Sequence, residues 1–183
     1  RLALEGGVRQ FNVESEPELR ALNEVAGELG RQAPIAIRVN PDVDAKTHAK
    51  ISTGKSENKF GVPFAEARAL YDLAAELPAL DIVGIHMHIG SQITDLAPMR
   101  AAFTLMRQLA KELLAAGYQL RHLDLGGGLG IPYDAKDPLP PHPRDYAAII
   151  VECLGDLGLE LVLEPGRIIA ANSGVLLTRV IHV

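Results

Sequence analysis

Three consecutive glycines follow a short apolar run, and glycines in that position are able to bind an anion. The run His-Leu-Asp-Leu (122–125) is followed by Gly126, Gly127 and Gly128. Because glycine has no side chain, backbone N–H groups can approach an anion closely there, and phosphate is the usual one. A simple tight turn explains the same letters. This is not a nucleoside-triphosphate P-loop, since no Gly-Lys-Ser/Thr sequence follows, and the spacing of the glycines is not that of a dinucleotide fingerprint.

A second group of polar residues ends another apolar run. Glu164, Pro165, Gly166 and Arg167 follow the run Leu-Glu-Leu-Val-Leu (159–163). A carboxylate at the tip of a buried strand, with a guanidinium three residues later, suits a site that binds a charged heterocycle and an anion. A Pro-Gly turn flanked by a surface ion pair is the alternative.

Two histidines lie two residues apart in a third run, at positions 86 and 88. Such spacing on a strand places both rings on one face, where they could be structural, bind a metal or contact a ligand. A metal would need further ligands from other strands, and the nearest candidate, Asp124, comes without a matching histidine at a strand end. We therefore favour contact between His88 and a ligand, with Ser91 as a phosphate donor.

Arg38 interrupts the apolar run 35–40. A buried charge is costly unless it is paired, and the partner predicted for Arg38 is Glu164. A solvent-facing ion pair is the alternative. Asn12 and Glu14, on the first predicted strand, could face the same interior.

The composition favours a globular protein with a small-molecule partner. Of the 183 residues, 48% are hydrophobic, and the net charge of −5 argues against a nucleic-acid or anionic-membrane surface. The single cysteine, Cys153, cannot form a disulfide within the chain, which fits a reducing cytoplasm. No apolar run approaches the roughly 20 residues of a membrane span. Residues 1–10 are typical of a helix end and a Gly-Gly turn, so we expect a piece of a longer protein.

Short β-type runs alternate with helical stretches along the chain. The β-type runs cover 10–15, 35–40, 81–91, 120–128 and 159–166, and a last β segment is predicted over 174–183. The first predicted helix follows the first run and ends near residue 31. The other helices cover about 63–76, 96–116 and 144–157. This alternation predicts a parallel α/β sheet with right-handed crossovers. An open doubly wound sheet and a (β/α)8 barrel both place chemistry at the carboxyl ends of strands. Five units are too few to close a barrel, so a barrel would require further strands.

These motifs, taken in order, resemble those of a known family. His-Met-His-Ile-Gly-Ser-Gln (86–92), Asp-Leu-Gly-Gly-Gly-Leu-Gly (124–130) and Glu-Pro-Gly-Arg (164–167) resemble the fold-type III pyridoxal-phosphate (PLP) decarboxylases. Within that family, residues 12–15 and 38–61 are more similar to the diaminopimelate decarboxylases than to the ornithine decarboxylases.

The resemblance implies a partial (β/α)8 TIM barrel of alanine-racemase type, covering about strands four to eight. Residues 1–173 would form this incomplete PLP-binding barrel, and residues 174–183 would be the first strand of a C-terminal β domain. The segment 50–61 would lie over the site.

The resemblance also implies a role for each motif. Catalytic roles would fall to His88, stacked on the PLP ring, and Glu164, which would keep a proton on the pyridine nitrogen. Arg167 would also contact substrate, and Arg38 would pair with a residue that supports the site; no metal is implied. The residues implied to bind the cofactor are His88, Ser91, Gly126, Gly127, Gly128, Glu164, Pro165, Gly166 and Arg167.

The implied reaction is decarboxylation of meso-2,6-diaminopimelate to L-lysine and CO2 by a cytoplasmic homodimer acting on a small amino-acid substrate. Related decarboxylases of ornithine, arginine or carboxynorspermidine type, a non-catalytic PLP-binding barrel and a metal-dependent barrel hydrolase are the alternatives. The family's covalent cofactor lysine lies in a Tyr-x-x-Lys-x-Asn context. No lysine of this chain has such surroundings, so the chain by itself is expected to be inactive; its lysines are Lys46, Lys50, Lys55, Lys59, Lys111 and Lys136.

Overall fold

Six parallel strands and six helices form the described part of the protein. The structure, a computed structural model, describes residues 1–43, 60–134, 136–137, 139–175 and 177–182. The strands are β1 (Phe11–Val13), β2 (Ala33–Asn40), β3 (Val62–Pro63), β4 (Leu80–His86), β5 (His122–Asp124) and β6 (Glu160–Val162). The helices are α1 (Leu2–Glu5), α2 (Glu16–Glu28), α3 (Phe64–Ala75), α4 (Ala97–Ala115), α5 (Pro143–Leu154) and α6 (Arg167–Ala170).

The lateral order of the strands separates the two architectures that the sequence left open. The order is β1-β2-β4-β5-β6, and β3 pairs with the end of β2. An open doubly wound sheet reverses its strand order at a switch point, whereas a barrel adds each new strand on the same side. Because the order here runs one way, the prediction of a partial (β/α)8 barrel is confirmed. In the described part of the chain, β1 and β6 each pair with one neighbour.

The strands are buried on both faces, as parallel strands covered by helices must be. Ile35 and Ile37 of β2 and Ile85 of β4 have no exposed surface. Outside them, α4 presents a continuous apolar face that includes Phe103 and Met106, both fully buried. The central strands are therefore packed against apolar side chains on both faces.

A buried tyrosine of α3 links this helix to two strands. The Tyr71 hydroxyl donates to the carbonyl of Gly84 on β4 at 2.8 Å and accepts from the N–H of Ile37 on β2 at 3.4 Å. Burial raises the pKa of Tyr71 well above its ordinary value. The ring therefore stays neutral and satisfies polar groups inside the core.

Local sequence signals mark two helix ends in the structure. The Ser15 hydroxyl accepts the Glu18 N–H at 3.4 Å, and Pro17 lies in the first turn of α2. Gly117 follows α4 with a φ of +93°, a conformation that favours glycine.

The end of the chain differs from its prediction. No strand forms over the described residues 174–175 and 177–182, and their side chains are exposed. A segment forms a β-strand only when its backbone hydrogen-bonds to a neighbouring strand, and no strand of the described chain pairs with this segment. The described residues of the segment 174–183 therefore do not form the predicted strand in this structure, and their assignment to a C-terminal β domain stays a prediction. Among the described residues, no helix is long and apolar enough to cross a membrane.

Candidate functional site

The carboxyl ends of β4, β5 and β6 bring the predicted motifs together at one edge of the sheet. Hydrogen bonds continue past the ends of the strands, from the Met87 N–H to the Asp124 carbonyl (2.9 Å) and from the Glu164 N–H to the Gly126 carbonyl (2.9 Å). The segments after the three strands are therefore held side by side. Catalytic and binding residues of barrel enzymes occur at this end.

The glycine loop, residues 126–128, packs too closely against its neighbours to accept side chains. A Cβ atom on any of the three would lie closer than 3.0 Å to a backbone oxygen, belonging to Met87, Glu164 and Gly90 in turn. Gly126 and Gly128 also have positive φ angles, of +63° and +119°. The glycines thus serve the close approach of three chain segments, which a simple tight turn would not require.

His88 is fixed by the glycine loop. Its Nδ1 atom accepts the N–H of Gly127 at 3.2 Å, so the proton of the neutral ring lies on Nε2. Burial, assisted by the positive charge of Arg38, lowers the pKa of His88 below its ordinary value. A neutral, oriented imidazole at this edge suits stacking on a planar ring.

Ser91 and Arg167 meet at the same edge, although 76 residues separate them. The guanidinium of Arg167 donates to the Ser91 hydroxyl at 2.6 Å. The next segment is joined to the glycine loop, because the Ile93 N–H donates to the Gly128 carbonyl at 2.9 Å. A hydroxyl and a guanidinium beside glycine backbone form a cradle that suits a phosphate.

Glu164 supplies the negative charge of the site. Its Oε2 lies 3.7 Å from Nε2 of His86, and 45% of its side chain is exposed. The His86 ring lowers the pKa of Glu164 against the opposing effect of burial, and His88 and Arg38 contribute in the same direction. An ionised carboxylate here can accept a hydrogen bond from a protonated nitrogen of a ligand.

Arg38 has a different partner from the one that the sequence predicts. It forms an ion pair with Glu14 at 2.5 Å, and the prediction of a pair with Glu164 is wrong. The register explains the difference: Val13 of β1 lies opposite Ile37 of β2, so the next residues, Glu14 and Arg38, are adjacent. Glu164 follows β6, which two strands separate from β2.

Glu14 also holds the chain just before β3. Its Oε2 accepts the N–H of Gly61 at 3.0 Å, and the guanidinium of Arg38 lies 5.3 Å from the ring centre of Phe60. The segment predicted to cover the site is 50–61, and its residues 50–59 lie outside the described residues. The sequence singled out Glu14 as facing the interior but missed its role as the partner of Arg38. The strand register, had it been known, would have shown it.

The residues that could hold a metal in the structure differ from those that the sequence suggests. Among the described residues, one group has ligand atoms close enough for a metal, namely His86, Asp124 and Glu164, all within 4.8 Å of one another. His88 is not in this group, since it lies beyond the end of β4 and its Nδ1 receives the Gly127 N–H. The paired-histidine ligand set considered from the sequence therefore does not form.

The site combines a cradle for an anion, a neutral imidazole and an ionised carboxylate at the carboxyl end of a parallel barrel. Such a site suits a cofactor that is a phosphorylated heterocycle. The chain belongs to the pyridoxal-dependent decarboxylases: residues 1–171 match the family described as pyridoxal-dependent decarboxylase, pyridoxal binding domain. PLP, the cofactor of this family, fits the residues present, because Ser91 and Arg167 meet beside the glycine loop as donors for a phosphate, and the ionised Glu164 can accept a hydrogen bond from a ring nitrogen.

Curated relatives are similar over nearly the whole chain. Diaminopimelate decarboxylase of Vibrio cholerae is 55% identical over 179 residues, which cover 97% of this chain and 42% of the relative. The enzyme of the same name from Pseudomonas aeruginosa is 54% identical over 180 residues, covering 98% of this chain and 43% of the relative. The chain thus spans about two fifths of the length of these relatives.

Solved structures agree with the fold. Diaminopimelate decarboxylase from Helicobacter pylori, complexed with L-lysine, superimposes with a TM-score of 0.87 at 43% identity, over 91% of this chain and 42% of the other. Lysine decarboxylase from Selenomonas ruminantium gives a TM-score of 0.70 at 28% identity, over 90% of this chain and 40% of the other.

Proposed function

We propose that this chain provides the PLP-binding barrel portion of an enzyme that decarboxylates meso-2,6-diaminopimelate to L-lysine and CO2. The observation that carries the proposal is the convergence of His88, Ser91, Glu164 and Arg167 at one edge of the sheet. Identities of 54–55% to diaminopimelate decarboxylases support the substrate. Because the chain spans only part of those relatives, the reaction is proposed for the whole protein.

Each site residue has a proposed task when PLP is bound. PLP supplies an electron sink for the negative charge left by the loss of CO2. Glu164 accepts the hydrogen bond of the protonated pyridine nitrogen, and His88 packs on the ring face. Ser91 and the glycine loop, together with Pro165, Gly166 and Arg167, receive the phosphate; Arg167 also contacts the substrate carboxylate. The Arg38–Glu14 pair fixes the chain entering β3.

The larger organisation is proposed on the same basis. Residues 1–173 are assigned to the barrel and residues 174–183 to the start of a C-terminal β domain. We assign the protein to a cytoplasmic homodimer, with a small amino acid as its substrate and without a nucleic-acid partner. The net charge of −5 supports the last point.

Related decarboxylases are the nearest alternative. The structural likeness to the Selenomonas ruminantium lysine decarboxylase is weaker than that to the Helicobacter pylori enzyme, with TM-scores of 0.70 and 0.87. That difference favours diaminopimelate, which has two carboxylates, over a monocarboxylate substrate such as lysine.

A substrate panel tests the proposal. The complete subunit, loaded with PLP, is given meso-diaminopimelate, L-lysine, L-ornithine, L-arginine and carboxynorspermidine, and released CO2 is measured. We expect the highest kcat/KM for meso-diaminopimelate, with L-lysine as the product. Preference for another substrate would replace the assignment within the family, and no turnover with any of the five would favour a non-catalytic PLP-binding barrel.

The isolated chain provides a second test. Residues 1–183 lack a lysine in the family's cofactor context, so we expect the purified chain to bind PLP weakly and to release no CO2. Turnover by this chain alone would contradict the assignment of the covalent lysine to another part of the protein.

A further inference from the structure

His86 is a buried polar residue whose environment does not satisfy it. The residue is 4% exposed, and within the described part of the chain neither ring nitrogen has a hydrogen-bond partner. A buried polar atom without a partner costs about 1–3 kcal/mol, so a native protein rarely keeps one without a reason. Two unpartnered nitrogens on one ring indicate a group that acts when a ligand is present.

The surroundings of His86 show which group it can act on. Asp124 and Glu164 both lie next to the ring, with ligand atoms of the three residues within 4.8 Å of one another. Asp124 is buried and already accepts the N–H of Gly126 at 3.0 Å. Glu164 is almost half exposed, and its Oε2 is 3.7 Å from Nε2 of His86. That separation is slightly longer than a hydrogen bond, and a small rotation of the Glu164 side chain would close it.

We infer that His86 is a positioning residue for Glu164: its Nε2–H holds one carboxylate oxygen, so that the other oxygen faces the pyridine nitrogen of PLP. This inference rests on the proposed function and adds to it a residue that does not touch the cofactor. Glu164 lies beyond the end of β6 and 45% of its side chain is exposed, so packing alone leaves the carboxylate room to rotate. A second anchor fixes the orientation that the pyridine hydrogen bond requires.

The charges around the ring support this arrangement. His86 is the largest cause of the lowered pKa of Glu164, which keeps that carboxylate ionised. Asp124 behaves oppositely, because burial raises its pKa, although the Gly126 N–H and His86 oppose the rise. The pKa values of the two carboxyl groups beside the His86 ring are therefore shifted in opposite directions. Glu164 is the one that carries its charge toward the cofactor.

The test measures PLP affinity, not turnover, in the complete subunit. His86→Gln retains an N–H near the position of the imidazole Nε2, His86→Asn places its amide nitrogen nearer that of Nδ1, and His86→Leu has no polar atom. We expect the dissociation constant of PLP to rise about tenfold in the Leu and Asn variants, and to stay within about threefold of the wild type in the Gln variant. His122→Leu, at the other end of the sheet, is the control and should leave the constant unchanged.

A double-mutant cycle separates positioning from simple packing. In a Glu164→Gln background, His86→Leu should raise the dissociation constant by less than about twofold, because its target is gone. An equal rise in both backgrounds, or equal loss in the Gln and Leu variants, would overturn the inference. If the wild-type subunit does not bind PLP at all, the proposed function itself fails. If a divalent metal alone binds, with affinity lost in His86→Leu, the three residues are a metal site and the inference is wrong.

Discussion

Each end of the sheet places a buried histidine beside a glutamate, and the two pairs differ in what completes them. At the carboxyl end, His86 lies 3.7 Å from Glu164. At the amino end, His122 lies 3.6 Å from Glu160. The distances are nearly the same, and so is the burial of the two histidines, at 4% and 8% exposed.

The amino-terminal pair is completed by the chain itself. Arg9 donates to Nε2 of His122 at 2.7 Å and forms an ion pair with Glu160. Near the carboxyl-terminal pair, the arginines contact other residues: Arg38 pairs with Glu14, and Arg167 donates to Ser91. Within the described residues, His122 therefore has a partner at one ring nitrogen, Nε2, whereas neither ring nitrogen of His86 has one. In barrels the amino-terminal end serves stability and the carboxyl-terminal end serves chemistry.

The two glutamates should differ most in activity. Glu164→Gln in the complete subunit should lower the decarboxylation rate by about 100-fold or more while PLP stays bound, because a neutral amide does not favour the protonated pyridine nitrogen. The rate is measured as CO2 released, and bound PLP by its absorbance. Glu160→Gln is the matched control and should retain the wild-type rate. Equal rates in the two variants would remove the distinction between the ends.

Two glycines test whether the site is held by close packing. Gly127→Ala should lower the free energy of unfolding by about 1–3 kcal/mol, because its methyl group would meet the carbonyl of Glu164. Gly27→Ala, in α2, has only an ordinary contact of 3.9 Å with Ala79 and should be neutral or raise stability by up to about 1 kcal/mol. Urea unfolding measures both. A Gly127→Ala protein as stable as the wild type would show that the loop has room to move.

Substitutions of His88 and His122 should separate the affinity for PLP from the stability of the fold. His88→Ala should raise the dissociation constant of PLP about tenfold, since it loses a stacked ring, and should change the substrate constant less. His122→Ala should leave the affinity unchanged and lower the midpoint of thermal unfolding. If His122→Ala weakened PLP binding as much as His88→Ala does, the site would extend to both ends.

Lowering the pH should lower the free energy of unfolding, because a histidine at each end of the sheet resists protonation in the folded protein. Burial is the largest cause of the lowered pKa of both His88 and His122, assisted by Arg38 and Arg9 respectively. Below the ordinary pKa of about 6.5, the unfolded chain therefore binds protons that the folded chain resists. Stability should fall as the pH decreases from 7.5 to 5.5, and His122→Leu should reduce that slope. A slope unchanged in both His122→Leu and His88→Leu would contradict the assignment.

The sequence predicts what depends on one strand at a time. Runs of apolar residues locate the central strands, Ser15 and Gly117 mark helix ends, and polar residues after each run point to the carboxyl edge. The resemblance in the ordered motifs then identifies the family. His88, Ser91, Glu164 and Arg167 do meet at this edge in the structure.

What the sequence does not predict depends on lateral neighbours. The sequence predicts the wrong carboxylate partner for Arg38, because the register of β1 against β2 determines that partner and no local pattern encodes the register. The need for glycine at position 127 comes from the carbonyl of Glu164, 37 positions further along the chain. Residues 174–175 and 177–182 show the same limit, because their β-type composition produces no strand without a pairing neighbour.

A crystal structure of the complete subunit with PLP tests the central claim most directly. We expect the pyridine nitrogen within about 3 Å of a Glu164 oxygen, the ring against His88, and the phosphate beside Ser91, the glycine loop and Arg167. PLP bound at the amino-terminal end of the sheet would contradict it, as would a metal ion held by His86, Asp124 and Glu164 with PLP excluded.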